Sequence, residues 1–197
     1  MPRVGLDVEA VVAAAVDLAD SEGLEALTLV RLGERLGVRS PSLYAHVDGL
    51  EDLRRRLAAR AARQLAERLQ VAAVGRAQGE ALAAIAEAYV DYARRHPGAY
   101  AALQRAPRAG DEAGAAAAAT PVETVLAVLR GYGLEGEDAI HAARILRAAL
   151  HGFVSLEAGG GFALPVDVDE TFARLLTLLD AGLAAQSLAS AAEATEP

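Results

Sequence analysis

Residues 28–47 read TLVRLGERLGVRSPSLYAHV. Leu29, Leu32 and Leu36 recur at i, i+3 and i+7, so the first part of the stretch has one apolar face at helical spacing. Thr28 stands where an N-cap belongs. Gly37 suits the left-handed conformation that ends a helix, and Val38 can pack back onto the last turn. Ser40-Pro41 then supplies a capping residue followed by a proline at the first helical position. A second helix, Pro41 to about Val47, offers Leu43 and Val47 to the core and leaves Ser42, Tyr44 and His46 on other faces. Two short helices and a tight turn of this size form a helix-turn-helix, whose second helix is built to enter the major groove of DNA.

Working outward, residues 7–22 read as a helix capped by Asp7 and stopped by Gly23, with Val11, Ala14, Ala15 and Leu18 facing inward. It is needed to complete a three-helix head, because two short helices alone bury too little surface. Asp48, with Glu51 three residues on, resembles a capping box and opens a helix to about Gln70. Leu50, Leu53, Leu57, Ala61, Leu65 and Leu69 run along it as a stripe suited to joining a small head to a larger body. Further helices are expected over 80–95, ended by His96-Pro97, and from Pro97 through Tyr100 and Leu103. Residues 106–113 are expected to be mobile. Thr120-Pro121 looks like a cap and start for a helix to about Tyr132. Residues 135–158 form the next helix, stopped by Gly159-Gly160-Gly161, and residues 168–188 the last. The expected division is a head over 1–53, a connecting helix over 54–75, a ligand-binding and dimerisation body over 76–190, and a disordered tail over 191–197.

Composition agrees with an all-α chain. Hydrophobic residues make up 53% of the 197, but aromatics only 4%, so alanine and leucine must do most of the packing. Both are strong helix formers and poor strand markers. With no cysteine there is neither a disulfide frame nor thiolate chemistry. No uncharged run of 18 apolar residues and no signal peptide is read, so the expectation is a cytoplasmic protein with no membrane partner. The net charge of −8 argues against nucleic acid until its distribution is considered. Residues 1–70 carry 10 Arg against 11 acids, and residues 71–197 carry 9 against 16. Arg31, Arg35, Arg39, Arg54, Arg55, Arg56, Arg60, Arg63 and Arg68, with His46 when protonated, could supply a local basic face. No nucleophile–base pair or metal cluster points to an enzyme. Of the four histidines, His141 and His151 are separated by about 280° around a helix, so they share no face. No cofactor is expected.

The head resembles the TetR family of bacterial transcription regulators. The resemblance is carried by Ala26-Leu27-Thr28-Leu29, by Leu32-Gly33-Glu34-Arg35-Leu36-Gly37-Val38, by Ser40-Pro41-Ser42-Leu43-Tyr44-Ala45-His46-Val47, and by Leu50 to Leu53. Two positions depart from the family pattern: Val47 stands where an aromatic is common, and Gly49 where a lysine is common. The C-terminal half is similar to the TetR subclass marked by a His-Gly pair, here Leu150-His151-Gly152-Phe153, without the tryptophan often found before it. The resemblance implies that Thr28 and Ser42 are phosphate-contacting hydroxyls, that Tyr44 and His46 face the groove or a phosphate, and that Arg39 reaches a phosphate or a base edge. Ser40 and Leu43 belong to the same DNA-facing stretch, although Leu43 also fits a buried anchor. An effector pocket would draw on Tyr89, Tyr92, Tyr100, Leu103, Leu126, Leu146, Leu150 and Phe153.

The last helix is apolar on more than one face, so part of it must bury against something else. A second subunit is the simplest candidate, through Ile145, Phe153, Phe172, Leu175, Leu176, Leu179 and Leu183. The resulting expectation is a homodimeric repressor that binds a palindromic, double-stranded DNA operator and is released by a small, largely apolar molecule. The alternatives are an activator of the same fold and a helical interaction protein that binds no DNA.

Overall fold

The computed structural model describes residues 6–193 except Ala106 and Ala109. Among them it is all-helical: α1 (Val8–Glu22), α2 (Leu29–Leu36), α3 (Gly49–Ala73), α4 (Gln78–Arg95), α5 (Pro97–Leu103), α6 (Glu112–Arg130), α7 (Gly136–Ala158) and α8 (Val168–Glu193), with short 3-10 segments at Leu24–Ala26 and Ser40–Ala45. Contacts divide the chain into two compact units, and the divisions fall inside α3, α4 and α6. One unit takes Met1–Gln64 and Arg95–Thr120, the other Leu65–Arg94 and Pro121–Pro197. The head therefore packs together with α5 and the start of α6, which lie far along the sequence.

In the N-terminal unit, α1 begins as expected: the Asp7 carboxylate accepts from Ala10 N at 2.7 Å. Gly23 ends it at φ +90°, a conformation that side chains rarely adopt. The buried face of α1, including Val11, Ala15, Leu18 and Ala19, packs on α2 and on α5. The contact with α5 is unusually close. A Cβ added at Gly98 would lie 2.1 Å from the carbonyl carbon and oxygen of Ala19. Next door, the Asp20 carboxylate accepts from Ala99 N at 2.8 Å and meets His96 Nδ1 at 3.0 Å. Asp20 thus caps the start of α5 from a different helix, supplying an acceptor to an N–H that has no partner within α5.

In the C-terminal unit, Phe153 on α7 lies 5.2 Å from the Phe162 ring and 4.9 Å from the Phe172 ring, both tilted. These aromatics close α7 onto α8. Arg94 of α4 grips Glu157 of α7 in a bidentate pair at 2.9 and 2.7 Å, and reaches Asp169 of α8 at 3.3 Å. The Tyr132 hydroxyl donates to Asp180 at 2.5 Å. Burial, then the Asp180 hydrogen bond and charge, push the Tyr132 phenol above its ordinary value. Gly79 faces the same carboxylate: a Cβ there would stand 2.9 Å from an Asp180 oxygen.

Two expected boundaries shift. The helix expected to start at Thr120-Pro121 starts at Glu112, with Pro121 inside it. The alanine run 115–119 is the reason, since alanine is the strongest helix former. Asp111 also accepts from Gly114 N at 2.9 Å, and Thr120 bonds back to Ala116 O at 3.3 Å instead of capping. Of the segment expected to be mobile, residues 112–113 are therefore helical, and Ala106 and Ala109 lie outside the described residues. Likewise α8 runs on to Glu193, while 194–197, the end of the expected tail, lie outside the described residues. By length and composition, α6 is long and apolar enough to cross a membrane. Much of its apolar character is the alanine run, which is only weakly hydrophobic.

The α1–α5 seam leaves no room for a methyl group, so Gly98→Ala must push two backbones apart. Denaturant titration is expected to show a loss of about 1–3 kcal/mol or more.

Candidate nucleic-acid interface

The helix-turn-helix is built by local backbone chemistry. Thr28 Oγ1 accepts from Arg31 N at 3.2 Å and caps α2. Gly37 closes α2 in the left-handed region, at φ +67° and ψ +28°. Val38 N then donates to Gly33 O at 2.9 Å and Gly37 N to Glu34 O at 3.2 Å, which satisfies carbonyls of the last turn. The turn is tight enough to specify Gly33 as well, since a Cβ there would come within 2.8 Å of Val38 O.

The second element differs in detail from the expected helix. It is a single 3-10 segment, Ser40–Ala45, that stops before Val47. Arg39, not Ser40, takes the capping position, and it gives no side-chain cap bond. Six residues between a tight turn and the buried Val47 leave no length for a second α-turn. Leu43 is fully buried and Val47 nearly so. Leu43 is therefore an anchor that holds the element to the head, and its assignment to a DNA contact is corrected. Val47 keeps the apolar role with a smaller side chain.

What remains outside is a compact polar surface. Thr28, Arg31, Arg35, Arg39, Pro41, Ser42 and Tyr44 are exposed, with Ser40 and His46 half-buried. Tyr44 is 61% exposed, which excludes a packed role for its ring. The side chains of Arg39, Ser42 and Tyr44 have no hydrogen-bond or ion-pair partner among the described residues. Arg31 and Arg35 are tied to Glu22, at 2.6 and 4.0 Å. Thr28 spends one acceptor site as a cap, and its hydroxyl proton stays available to another acceptor.

Behind this surface, Asp52 ties down the start of α3. It is buried, accepts from Asp48 N at 3.0 Å and from Arg56 Nε at 2.8 Å, and is paired with Arg55. The cap thus closes on Asp52, one residue beyond the expected Glu51, which binds Arg54 at 3.1 Å and Arg108 at 2.7 Å instead. Burial alone would raise the Asp52 carboxyl, but the Arg56 and Asp48 hydrogen bonds and the charges of Arg56 and Arg55 bring it below its ordinary value. Gly49 sits at φ +88°, so glycine suits this position on conformational grounds.

The residues expected to form a pocket are divided between the units. Tyr89, Tyr92, Leu126, Leu146, Leu150 and Phe153 belong to the C-terminal unit, Tyr100 and Leu103 to the N-terminal one. Tyr92, Leu146, Leu150 and Phe153 are core residues, and Arg68 lies 5.5 Å over the Tyr92 ring. Of the expected dimer contacts, Phe153 and Leu183 are buried within their own unit, and that assignment is corrected. Phe172, Leu175, Leu176 and Leu179 are half-buried and Ile145 is exposed. Leu156 and Leu178, which were not among the expected dimer contacts, are 52% and 72% exposed. A Cβ at Gly152 would have nothing within 4 Å of it.

A capped helix-turn-helix with an unpaired arginine, serine and tyrosine on its outer face defines a DNA-binding protein of the helix-turn-helix class. Comparison with known proteins narrows the class. The family described as "Tetracyclin repressor-like, C-terminal domain" matches residues 82–179. An HTH-type transcriptional regulator of Mycobacterium tuberculosis is 42% identical over 179 residues, covering 89% of this chain and 80% of that protein. An HTH-type transcriptional repressor of Streptomyces coeruleorubidus is 33% identical over 141 residues, covering 72% of this chain and 50% of that protein. A solved structure from Rhodococcus, of a protein of unknown function, superposes with a TM-score of 0.78 at 23% identity, covering 93% of this chain and 99% of that one. The chain belongs to the TetR family of helix-turn-helix transcriptional regulators.

The lowered Asp52 carboxyl gives a signed pH dependence. A group whose pKa falls on folding stabilises the fold above its unfolded value and loses that contribution as pH drops through the folded one. Asp52→Asn is expected to cost about 1 kcal/mol at neutral pH, the scale of a lost cap. Urea titrations of both proteins should converge as pH falls below the ordinary value of 3.8. A difference that stays constant with pH would remove the carboxylate from the account.

Proposed function

We propose that this regulator is a homodimeric, cytoplasmic repressor that places two Ser40–Ala45 segments in successive major grooves of a near-palindromic operator. The observation that carries the reading is the exposed set Arg39, Ser42 and Tyr44, whose side chains have no partner among the described residues, on a head held together by the buried Leu32, Leu43 and Val47. Thr28 and Ser42 supply hydroxyls to phosphates, Arg39 reaches a phosphate or base edge, and Tyr44, Ser40 and His46 border the groove. Such contacts need only a small basic surface, so an overall acidic chain is no obstacle. Repression follows from occupying the operator and requires no further contact with the transcription machinery. The repressor named among the relatives supports this choice over activation.

Dimerisation is assigned to α7 and α8. Ile145, Gly152 and Leu156 fall on one face of α7 at spacings of seven and four, and all lie open or half-open. On α8 the exposed residues Leu178, Ala181, Gly182 and Ala185 form a second such face. Exposed large apolar groups beside glycines with free space suit two helices from a second copy. A small molecule that favours a head spacing other than that of the operator would release DNA, to the extent of its differential affinity for the two states.

Two variants test the reading. Arg39→Ala is expected to weaken duplex DNA binding roughly tenfold at fixed salt, the scale of one lost contact, with unchanged thermal stability. Equal affinity in fluorescence anisotropy would place the reading surface elsewhere. Leu178→Asp is expected to yield a folded monomer by sedimentation velocity, with loss of operator binding. A persistent dimer would count against the α7–α8 interface.

A further inference from the structure

Among the described residues before α3, the large apolar side chains left exposed are Tyr44 and Val30, which is 59% exposed. Tyr44 carries a hydroxyl and borders the groove in the reading above. Val30 has no part in that reading, and the fold does not explain it. An exposed valine buries little, and its branched Cβ makes it a poorer helix residue than alanine.

The position of Val30 is set by its neighbours on α2. It is the second residue of the helix, which runs Leu29–Leu36. Three positions on, Gly33 lies against the turn, where a Cβ would come within 2.8 Å of Val38 O and 3.3 Å of Ser40 N. Helical residues three apart are neighbours, about 60° apart around the axis. Val30 therefore lies one turn before Gly33, beside the face of α2 that packs on the Ser40–Ala45 segment. Two features decide which end of α2 suits DNA. Its N-terminus carries the Thr28 cap and the positive end of the helix dipole, which favours phosphate. One turn past Val30, Glu34 is exposed, and its carboxylate has no partner among the described residues, so phosphate is repelled there. Val30 stands at the phosphate-favouring end, next to the segment proposed to enter the groove.

A valine offers neither donor nor acceptor. Set against the edge of adenine, guanine or cytosine, it would leave polar base atoms without water or partner. Thymine presents a methyl group in the major groove, and apolar side chains pair with it. We propose that Val30 is a specificity-determining residue that packs on the C5-methyl of one thymine in each half-site. The inference rests on the regulator reading. It adds a base contact from the first helix of the motif, which otherwise crosses the backbone. Arg39 and Ser42 then supply hydrogen bonds to the operator, and Val30 an apolar contact that hydrogen bonding cannot mimic.

The test starts from the operator that the full-length protein enriches from a random duplex DNA pool. Uracil, which lacks only the methyl group, replaces thymine at one symmetric pair of positions at a time. Affinity is read by fluorescence anisotropy at fixed salt. At one such pair the wild-type protein is expected to bind about fourfold more weakly for each methyl removed, the scale of burying one such group. Val30→Ala, which removes an exposed group and raises helix propensity, is expected to fold as the wild type does. It should bind the thymine and uracil duplexes equally at that pair. A methyl effect that Val30→Ala retains, or an operator at which no uracil pair weakens binding, would overturn the inference and leave the regulator reading standing. A pool from which no sequence is enriched would overturn both.

Discussion

The N-terminal unit depends on one close contact, the seam where Gly98 of α5 lies against the backbone of Ala19 in α1. No side chain fits there. The seam brings the Asp20 carboxylate to the free N–H groups at the start of α5, so an acid on one helix caps another. Dispersion contacts between backbones and a charge-assisted cap reinforce each other at the same place. α1 in turn carries the helix-turn-helix on its other side. The position of the Ser40–Ala45 segment, which we propose faces DNA, is therefore tied to a contact formed between residues almost eighty positions apart. α5, a helix of only seven residues, would not be stable alone; the seam is what makes it an element of the head.

The element proposed to face DNA is small. Ser40–Ala45 has one fully buried residue, Leu43, and few internal hydrogen bonds. Its orientation comes from what brackets it: the Gly33–Val38 turn on one side and the Asp48–Asp52 cap on the other. The first is a backbone hydrogen bond, and in the second the Asp48 N–H donates to the Asp52 carboxylate. An element held at its ends responds to changes in those ends. Of the two, the Asp52 cap is the one held by charged side chains, since Arg55 and Arg56 both pair with its carboxylate.

Much of the head was legible in the sequence because local rules decide it. Asp7, Thr28 and Gly37 act as caps where spacing put them, and the stripe from Leu53 to Leu69 is buried as its period requires. Misreadings occurred where two local rules competed. At Thr120-Pro121 a strong start signal lost to five alanines and an Asp111 cap upstream. At Asp48 the nearer acid, Glu51, was drawn away by Arg108, a residue no local rule connects to it. The α8 face illustrates a different limit. Periodicity shows that a helix is apolar on more than one face, but not which leucines its own unit consumes. Leu183 was consumed and Leu178 was not. The Gly98 seam and the Asp20 cap are tertiary features with no sequence pattern of their own.

The central claim, that the Ser40–Ala45 segments of a dimer read one specific operator, is tested most directly by selecting bound sequences from a random duplex DNA pool at fixed salt. Enrichment of a single inverted repeat, with half-sites about one helical turn or a multiple apart, is the predicted result. A folded, dimeric protein that enriches no sequence over the starting pool would contradict it.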